Sequence, residues 1–336
     1  MKTQIAYSTE FSKHDNPNHP ENAKRLTAIL NEIKNTQFYK KLKFIEPQLI
    51  SPDIIKKVHS TEMIDIIKEM SKNGNEWIDL DTYVCKSDYD TARLAVGGLY
   101  SIVDNVVNNK AENGFALIRP PGHHATSNRS MGFCLFNNAA IASNEFAQKG
   151  KKILIFDHDV HHGNGTQEIF YDRSDVLYQS FHLSPHYPGT GHYSEIGSSD
   201  GTGYTINAPL FHGCGEKSIV RILEEIFLPI AKQFKPDLII FSSGYDSHHN
   251  DQLGGLNISC NFYGYLIKIF QDIQNKIVCT LEGGYNLNWI GKCVVSQLGQ
   301  MLSSPIEIED KIIDSDADVN NLINEIKKNL KDFWSL

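Results

Sequence analysis

Two carboxylates and three imidazoles follow directly on an apolar run in the middle of the chain, and these residue types bind divalent metal ions. Residues 153–165 read Ile-Leu-Ile-Phe-Asp-His-Asp-Val-His-His-Gly-Asn-Gly. In extended backbone alternate side chains share a face, so Asp157, Asp159 and His161 point to one side. Such a cluster is costly inside a protein unless a cation or a hydrogen-bond network satisfies it. The pattern therefore predicts a metal site at the end of a buried strand.

A further candidate ligand, Asp246, follows another apolar run in the sequence Ser-Gly-Tyr-Asp-Ser. An acid after a strand is more commonly a turn or capping residue, but its place at a second strand end favours a ligand. Three protein ligands plus an open position for water are typical of catalytic zinc. Because two of the three ligands, Asp159, His161 and Asp246, are carboxylates, iron(II) or another divalent ion is an alternative.

Groups that could move protons lie in two other loops. His123 and His124 follow a rigid Pro-Pro-Gly turn, and Asp157 and Asn164 are the candidate partners that would orient them. A hydrogen bond from one ring nitrogen to a carboxylate or amide fixes the tautomer of an imidazole. Tyr285, in Glu-Gly-Gly-Tyr-Asn, could donate a hydrogen bond to a developing oxyanion. The residue types together predict acid–base catalysis beside a metal ion.

The elements that must position these residues are short apolar runs alternating with helical patterns. The predicted strands cover 116–119, 153–156, 176–180, 238–242 and 277–281, and the helical patterns between them cover 138–149, 215–234 and 262–275. This alternation predicts an α/β fold with a mostly parallel sheet and helices on both faces. Polar or glycine-rich loops follow all five strands, and parallel strands end at one edge. We therefore expect one composite active site.

The composition of the 336-residue chain is that of an ordinary globular protein, with 40% hydrophobic and 21% charged residues. No repeat or Pro/Ser-rich linker divides it, so we expect one domain over 1–336. The net charge of −8 argues against direct nucleic-acid binding. Six cysteines without a CxxC pair favour core thiols in a reducing compartment. Without a leader or a membrane-length run, we expect a soluble cytoplasmic protein with no membrane contact.

Two further segments have amphipathic helical patterns. One covers 52–70. The other, 320–334, lies in a C-terminal tail that we place at 305–336, and its apolar residues recur at near-helical spacing. We expect the tail to pack on the body of the domain as a docking helix.

The ordered motifs resemble those of the zinc-dependent histone deacetylase superfamily, which shares the arginase–deacetylase fold. The motifs are Pro-Gly-His-His-Ala, Asp-His-Asp-Val-His-His-Gly-Asn-Gly-Thr-Gln, Tyr-Pro-Gly-Thr-Gly, Gly-Tyr-Asp-Ser and Glu-Gly-Gly-Tyr-Asn. The resemblance spans about 19–286, beginning at Asn-His-Pro-Glu with Arg25 close behind. Class II-like bacterial or archaeal deacetylases and acetylpolyamine amidohydrolases are the members most similar in pattern.

The resemblance assigns roles to the metal and proton-transfer residues. It implies metal ligation by Asp159, His161 and Asp246. It implies His124 as the general base, His123 as its electrostatic or acid partner, Asp157 orienting His123, Asn164 orienting His124, and Tyr285 as the catalytic tyrosine. An asparagine at 164 is similar to class II members, since the first class has an aspartate there.

The resemblance also implies substrate and potassium sites. Phe133 and Tyr187 match the walls of the acyl-lysine tunnel, and Gly132 would accept a hydrogen bond from the substrate amide. Leu253 stands where acetylpolyamine-selective relatives can carry an acid, and Asp81 would lie at the rim. Potassium would be bound largely by backbone carbonyls, at one site by Asp157, Asp159, His161, Ser180 and Phe181 and at a second by Phe170, Arg173, Val176 and Tyr204.

The implied activity is metal-dependent removal of acetyl or similar acyl groups from lysine side chains of proteins or peptides. The alternative is deacetylation of acetylpolyamines or other small acylated amines, against which the apolar Leu253 argues. A manganese arginase would need extra aspartates that the sequence lacks. A non-catalytic acyl-lysine reader is a further alternative, although Tyr285 and the ligands are retained. We expect a monomer or a small homo-oligomer.

Overall fold

The architecture is built around one large sheet. The structure, a computed structural model, describes residues 3–74, 76–312 and 317–336. Its strands are β1 (Gln4–Ala6), β2 (Lys43–Ile45), β3 (Glu76–Trp77), β4 (Tyr83–Val84), β5 (Gly114–Ala116), β6 (Ile153–Asp157), β7 (Val176–Leu183), β8 (Thr205–Leu210), β9 (Leu238–Ser243) and β10 (Ile277–Leu281). Eight of them form a sheet in the order β2-β1-β5-β10-β9-β6-β7-β8, and β3 and β4 form a separate antiparallel pair.

All neighbouring strands of the large sheet run parallel. Every residue of β6, β9 and β10 is buried. Because successive side chains of a strand point to opposite faces, both faces of these strands are covered. The predicted α/β class with a mostly parallel sheet between helices is therefore confirmed.

The helices differ in detail from the sequence patterns. They are α1 (Lys24–Lys34), α2 (Pro52–Ile55), α3 (Thr61–Asn73), α4 (Asp88–Val107), α5 (Asn138–Ala147), α6 (Asn164–Phe170), α7 (Glu216–Ile222), α8 (Leu228–Phe234), α9 (Cys260–Gln271), α10 (Ile290–Met301) and α11 (Asn320–Leu330). The single helix predicted over 52–70 is wrong, since α2 and α3 are separated by a break. The predicted helix over 215–234 is α7 and α8 joined through one π-helical turn, Leu223–Phe227.

The C-terminal helix packs on the body of the protein, as its pattern predicts. Ile323, Ile326 and Leu330 of α11 are buried in the main hydrophobic cluster. Beyond the helix, Trp334 Nε1 donates a 2.6 Å hydrogen bond to the carbonyl of Gly203, just before β8. Within the described part of the chain, no helix has the length and apolarity needed to cross a bilayer.

The strand order determines where the predicted loops meet. The strands β5, β10, β9, β6 and β7 are consecutive in the sheet. Their carboxyl ends carry the His-His turn, the Glu-Gly-Gly-Tyr loop, the Gly-Tyr-Asp-Ser loop, the Asp-His-Asp cluster and the segment leading to Tyr187. Since ligands of open α/β sheets bind outside the carboxyl ends of strands, this edge is the candidate functional site.

Candidate metal and catalytic site

Three potential metal ligands converge at the centre of this edge. Asp159 and His161 follow β6, and Asp246 follows its neighbour β9, with which β6 pairs in parallel register. His161 Nδ1 lies 3.1 Å from Asp159 Oδ1 and 3.2 Å from Asp246 Oδ2. One donor atom from each of the three residues lies within 4.8 Å of the other two, and all three residues are buried. The sheet thus assembles the predicted ligand set.

The ligand set fits a divalent cation. Asp246 Oδ2 is buried and faces His161 Nδ1 at 3.2 Å without an aligned hydrogen bond, while the other oxygen of Asp246 accepts one from the Val160 N–H at 2.9 Å. Burial, and then the carboxylate of Asp159, raise the pKa of Asp246 to about 6. A buried carboxylate with a free oxygen next to a second carboxylate needs a positive charge to stabilise it. A metal ion bound here would supply that charge.

Two glycines keep side chains away from these carboxylates. A Cβ added at Gly244 would lie 2.0 Å from Asp159 Oδ2, and one at Gly283 would lie 2.0 Å from Asp246 Oδ2. The Gly283 N–H in addition donates a 2.8 Å hydrogen bond to Asp159 Oδ2. Glycine at these positions therefore lets the backbone approach the ligand oxygens closely.

The tandem histidines have different partners and opposite protonation preferences. His123 Nδ1 lies 3.0 Å from Asp157 Oδ2, and His124 Nδ1 lies 2.8 Å from Asn164 Oδ1. Burial lowers the pKa of His123, but the carboxylates of Asp159 and Asp157 outweigh it and raise the value to about 10. Burial, together with the adjacent His123 and His161, holds the pKa of His124 well below its usual value. His123 is therefore the cationic imidazole and His124 the neutral one.

Glu282 fixes the turn that carries these histidines, a function that the sequence analysis missed. Its Oε2 accepts the N–H groups of Gly122 at 2.7 Å and His123 at 3.2 Å. Burial raises the pKa of this carboxyl group to about 7. The residue is the first of the Glu-Gly-Gly-Tyr motif. The sequence therefore marked Glu282 as part of a motif but did not indicate that it binds the His-His turn.

Tyr285 lies beside the ligand set, with its backbone held from the neighbouring loop. Asp251 Oδ2 accepts the Tyr285 N–H at 2.6 Å and the Asn286 N–H at 2.8 Å. The guanidinium of Arg25 stacks on the Tyr285 ring, with 5.1 Å between Cζ and the ring centroid. Burial and the carboxylate of Asp246 raise the pKa of the phenol well above its usual value. The hydroxyl group therefore stays protonated and can act as a donor.

Aromatic side chains surround the approach to this centre. The ring of Phe133 lies 5.8 Å from that of Tyr285, edge to face, and the ring of Tyr187 lies 5.1 Å from that of His124. Gly132 and Phe133 both have positive φ, at 56° and 68°. A Cβ at Gly132 would lie 2.5 Å from a ring carbon of His124. Gly132 and Tyr187 thus lie against His124, and Phe133 lies against Tyr285.

His186 is another residue that the sequence analysis missed. Its ring stacks on that of His161 at 4.7 Å with an 18° angle between planes. Its Nε2 lies 3.1 Å from the backbone carbonyl of Leu253. The contact joins the loop of Tyr187 to the loop of Leu253 beside the ligand set. Nothing in the sequence pattern identified it, because the contact joins residues of three separate loops.

Some of the residues predicted to bind potassium lie close to one another beside β7. Asp157 pairs in register with Ser180, which precedes Phe181 on that strand. In the second group, the Arg173 N–H donates to the Phe170 carbonyl at 3.1 Å, and the Tyr178 N–H donates to the Tyr204 carbonyl at 2.9 Å. The Arg173 guanidinium pairs with Asp175 at 2.7 Å. Its side chain is thus engaged elsewhere and leaves the carbonyl group as its potential ligand.

Asp81 lies in the turn between β3 and β4. Its carbonyl lies 3.1 Å from His19 Nε2, and the His19 ring packs against that of Phe133 at 4.5 Å. Burial and the adjacent Asp79 raise the pKa of the Asp81 carboxyl group. The turn is therefore attached to one wall of the predicted tunnel.

Comparisons with known proteins relate the chain to one family. A model of the histone deacetylase domain matches residues 19–301. A probable deacetylase of Archaeoglobus fulgidus is 36% identical over 296 residues, covering 85% of this chain and 82% of that protein. Histone deacetylase 15 of Arabidopsis thaliana is 37% identical over 308 residues, covering 90% of this chain and 56% of the plant protein. A crystal structure of the HDA15 HD domain aligns with a TM-score of 0.93 at 32% identity, covering 99% of this chain and 96% of that one.

The domain match extends over most of the chain and includes every predicted metal and catalytic residue. The structural match covers nearly the whole length of both chains, as expected if the parallel sheet and its loops are shared. The resemblance that the sequence motifs indicated is confirmed. The chain belongs to the histone deacetylase family, within the arginase–deacetylase superfamily of hydrolases.

Proposed function

We propose that the protein is a metal-dependent deacetylase that removes acetyl or similar acyl groups from lysine side chains of proteins or peptides. The observation that carries this proposal is the pairing of a neutral His124 and a protonated Tyr285 around one buried ligand set. A proton acceptor, an oxyanion donor and a cation site at one strand edge are the groups that amide hydrolysis needs.

Asp159, His161 and Asp246 would hold the metal ion, which we take to be zinc, with iron(II) or another divalent ion as the alternative. When bound, such an ion supplies Lewis-acid activation of a water molecule and of the acyl carbonyl group. The orphaned Asp246 Oδ2 and the two close glycines support a cation at this position.

The hydrogen bond of His124 determines which nitrogen can accept a proton. Because Asn164 Oδ1 is an acceptor, His124 Nδ1 carries the hydrogen and Nε2 keeps its lone pair. His124 Nε2 would take the proton of the attacking water and later return it to the leaving amine. His123, whose pKa the carboxylates of Asp159 and Asp157 raise, would stabilise negative charge that develops nearby.

Tyr285 would donate a hydrogen bond to the acyl oxygen as negative charge builds up on it. A well-placed donor of this kind is worth about 3–4 kcal/mol in the transition state. The backbone clamp from Asp251 and the stacked Arg25 restrict the tyrosine, so little reorganisation is needed at the moment of reaction.

The approach to the site favours a lysine side chain as the substrate. Phe133 and Tyr187 would pack against the four methylene groups of an acyl-lysine, and the Gly132 carbonyl would accept from the substrate amide. Asp81, in the turn attached to this wall, would bind the substrate backbone. Leu253 offers no charge for a polyamine, which supports a peptide substrate.

Potassium ions would bind along β7 and support the site from behind. Carbonyl groups of Asp157, Asp159, His161, Ser180 and Phe181 would form the inner site, and those of Phe170, Arg173, Val176 and Tyr204 the outer one. The adjacency of Asp157 and Ser180 in the sheet supports the inner site. The outer ion would lie near the end of α6.

The test is turnover of a fluorogenic acetyl-lysine peptide beside acetylputrescine, with zinc-loaded and with chelator-treated protein. We expect zinc-dependent turnover of the peptide that exceeds turnover of the polyamine. Turnover of acetylputrescine alone would identify the protein as a deacetylase of acetylpolyamines or other small acylated amines. Full peptide turnover by the metal-free protein would contradict the metal-dependent mechanism.

A further inference from the structure

A second group of metal-binding side chains lies behind the catalytic loop. His248 follows β9, Cys260 begins α9, Cys293 lies in α10, and Asp310 belongs to the irregular segment after α10. Both cysteines are fully buried, and the side chains of His248 and Asp310 are 0% and 1% exposed. Four separate parts of the chain thus bring soft and hard donors into one buried place.

The donor atoms of His248, Cys260 and Cys293 all lie within 4.8 Å of one another, and Asp310 joins them through its contact with His248. Cys260 Sγ lies 3.5 Å from His248 Nε2 and 3.3 Å from Cys293 Sγ. Asp310 Oδ2 lies 2.9 Å from His248 Nε2. Around tetrahedral zinc with bonds of about 2.0–2.3 Å, neighbouring ligand atoms are about 3.3–3.8 Å apart. The Cys260–His248 and Cys260–Cys293 distances lie in this range, and the Asp310–His248 distance is about 0.4 Å below its lower end.

The other candidate groups lack a second thiol, since His248 with His249 and Asp310 has none and His14 with Cys85 and Asp88 has one. His14 already bridges two carboxylates, Asp88 at 2.6 Å and Glu21 at 3.3 Å, and its neighbour Cys85 supplies a single thiol. The buried Cys279 contacts Met301 Sδ at 3.7 Å and belongs to no such group among the described residues. Two thiols beside an imidazole are the donors that favour zinc over harder ions.

We propose that His248, Cys260 and Cys293, with Asp310 as the fourth ligand, form a structural zinc site distinct from the catalytic one. Four protein ligands leave no open position for water, which is typical of structural zinc. The site would attach the segment bearing Asp310 to α9, α10 and the loop that carries Asp246, two residues before His248. Paired hydrogen bonds between Asn261 and Ile308, at 2.8 and 3.0 Å, already hold this segment against α9.

Zinc binding at this site has a defined proton balance. The thiols of Cys260 and Cys293 each lose a proton when they bind as thiolates. The His248 imidazole stays neutral, but its proton must be on Nδ1 so that Nε2 can bind the metal. Nδ1 now lies 3.2 Å from the Asn250 N–H, so this turn must shift as the proton moves. Two protons are therefore released for each zinc ion bound.

The test is the zinc content of the full chain, purified under reducing conditions and measured by plasma mass spectrometry. We expect two equivalents per chain in the unchanged protein. The Cys260→Ser and Cys293→Ser variants should each retain one, and Asp246→Ala should lose the other. Cys279→Ser, a change of another buried thiol, is the matched control and should keep two.

Cobalt(II) substitution separates this proposal from the proposed catalytic function. Thiolate ligands give cobalt a charge-transfer absorption in the near ultraviolet, and the catalytic ligand set contains no thiolate. We expect the band in the unchanged protein and in Asp246→Ala, but not in Cys260→Ser. Absence of the band from the unchanged protein would overturn the second site whatever the catalytic result. A Cys260–Cys293 disulfide in the reduced preparation, found by mass spectrometry, would equally exclude it.

Discussion

At the residue scale, the hydrogen-bond partners of two adjacent histidines determine which of the two rings carries a charge. His123 faces the carboxylate of Asp157, whereas His124 faces the amide of Asn164. A carboxylate stabilises a charged ring, and an amide only orients a neutral one. Burial then adds to the difference, because it disfavours charge wherever no opposite charge compensates. The environment, and not the residue type, separates the proton acceptor from the cation.

Replacing Tyr285 with phenylalanine tests the oxyanion role. The ring and its contact with Phe133 remain, while the hydroxyl group is lost, so substrate binding should change little. We expect kcat to fall by about 10²–10³-fold with KM within a few-fold of its original value. Steady-state kinetics on the acetyl-lysine peptide measure both. Tyr193→Phe, outside the site, is the control, and an unchanged kcat in Tyr285→Phe would refute the role.

Gly283→Ala tests the close approach to the ligand carboxylates. The new methyl group would lie 2.0 Å from Asp246 Oδ2, so the carboxylate must move. We expect weaker zinc binding and a loss of activity that excess zinc partly restores. Gly150→Ala is the control, since no atom lies within 4 Å of its added Cβ, although its φ of 79° adds strain. Equal zinc affinity in Gly283→Ala and the unchanged protein would show that this approach is unimportant.

The sequence predicted the candidate metal ligands better than the residues that position the site through contacts with other loops. Asp159 and His161 could be identified because carboxylates and imidazoles cluster after one predicted strand, and Asp246 because it follows a second strand of the same predicted sheet. Glu282 and His186 could not, since each acts through a residue far away in sequence. Their roles depend on which loops the sheet brings together, and local spacing does not encode that.

At the scale of elements, the loop after β9 supports the loop after β10. Asp251 accepts two N–H groups at the start of the Tyr285 loop, and the side-chain amide of Gln252 donates to the Tyr285 carbonyl at 3.1 Å. The sheet register places these loops side by side, since β9 and β10 pair along five residues. The phenol of Tyr285 is thus positioned by an element other than its own.

A double-mutant cycle measures this support. Asp251→Asn removes the charge that the two N–H groups face, and we expect kcat to fall about tenfold or more as Tyr285 loses its position. In a Tyr285→Phe background the same change should cost much less, because the hydroxyl group is already gone. Peptide kinetics on the unchanged protein, the two single variants and the double variant give the coupling free energy between Asp251 and Tyr285. Additive losses would mean that Asp251 acts on the fold and not through Tyr285.

Element boundaries were predicted well where the apolar pattern is strong. They were missed where tertiary contacts determine where an element begins or ends. β8 escaped prediction because it contains Asn207 and Pro209, and such a strand is tolerated at the sheet edge. The predicted helix over 52–70 is interrupted near His59, whose ring contacts the Thr126 carbonyl and the Asn137 N–H. Those partners lie far along the chain, so no local signal marks the break.

At the scale of the whole molecule, buried neutral histidines make stability depend on pH. His59 has a pKa of about 4, because burial disfavours its charged form. The value in the unfolded chain is about 6.5. The unfolded state therefore binds the proton more readily, and the stabilising effect of the neutral ring is complete above about pH 6.5. It is lost as the pH falls towards 4.

Urea unfolding between pH 7 and pH 4 measures the effect. We expect the free energy of unfolding to decrease across this range, and to decrease less steeply in His59→Gln, which keeps an acceptor but has no titrating ring. The difference between the two curves isolates His59 from the other acidic and imidazole groups. Parallel curves would show that this ring does not titrate between the folded and unfolded states.

The strand order also constrains the synthesis of the protein. β6 lies between β7 and β9 in the sheet, and β9 lies beside β10, the last strand among the residues that the structure describes. While the nascent chain leaves the ribosome, Asp159 and His161 emerge seconds before Asp246. During that interval their carboxylate and imidazole have no third partner, and Glu282 has not yet been made to hold the His-His turn. A site made of all three proposed metal ligands can therefore form only after the loop that follows β9 has left the ribosome.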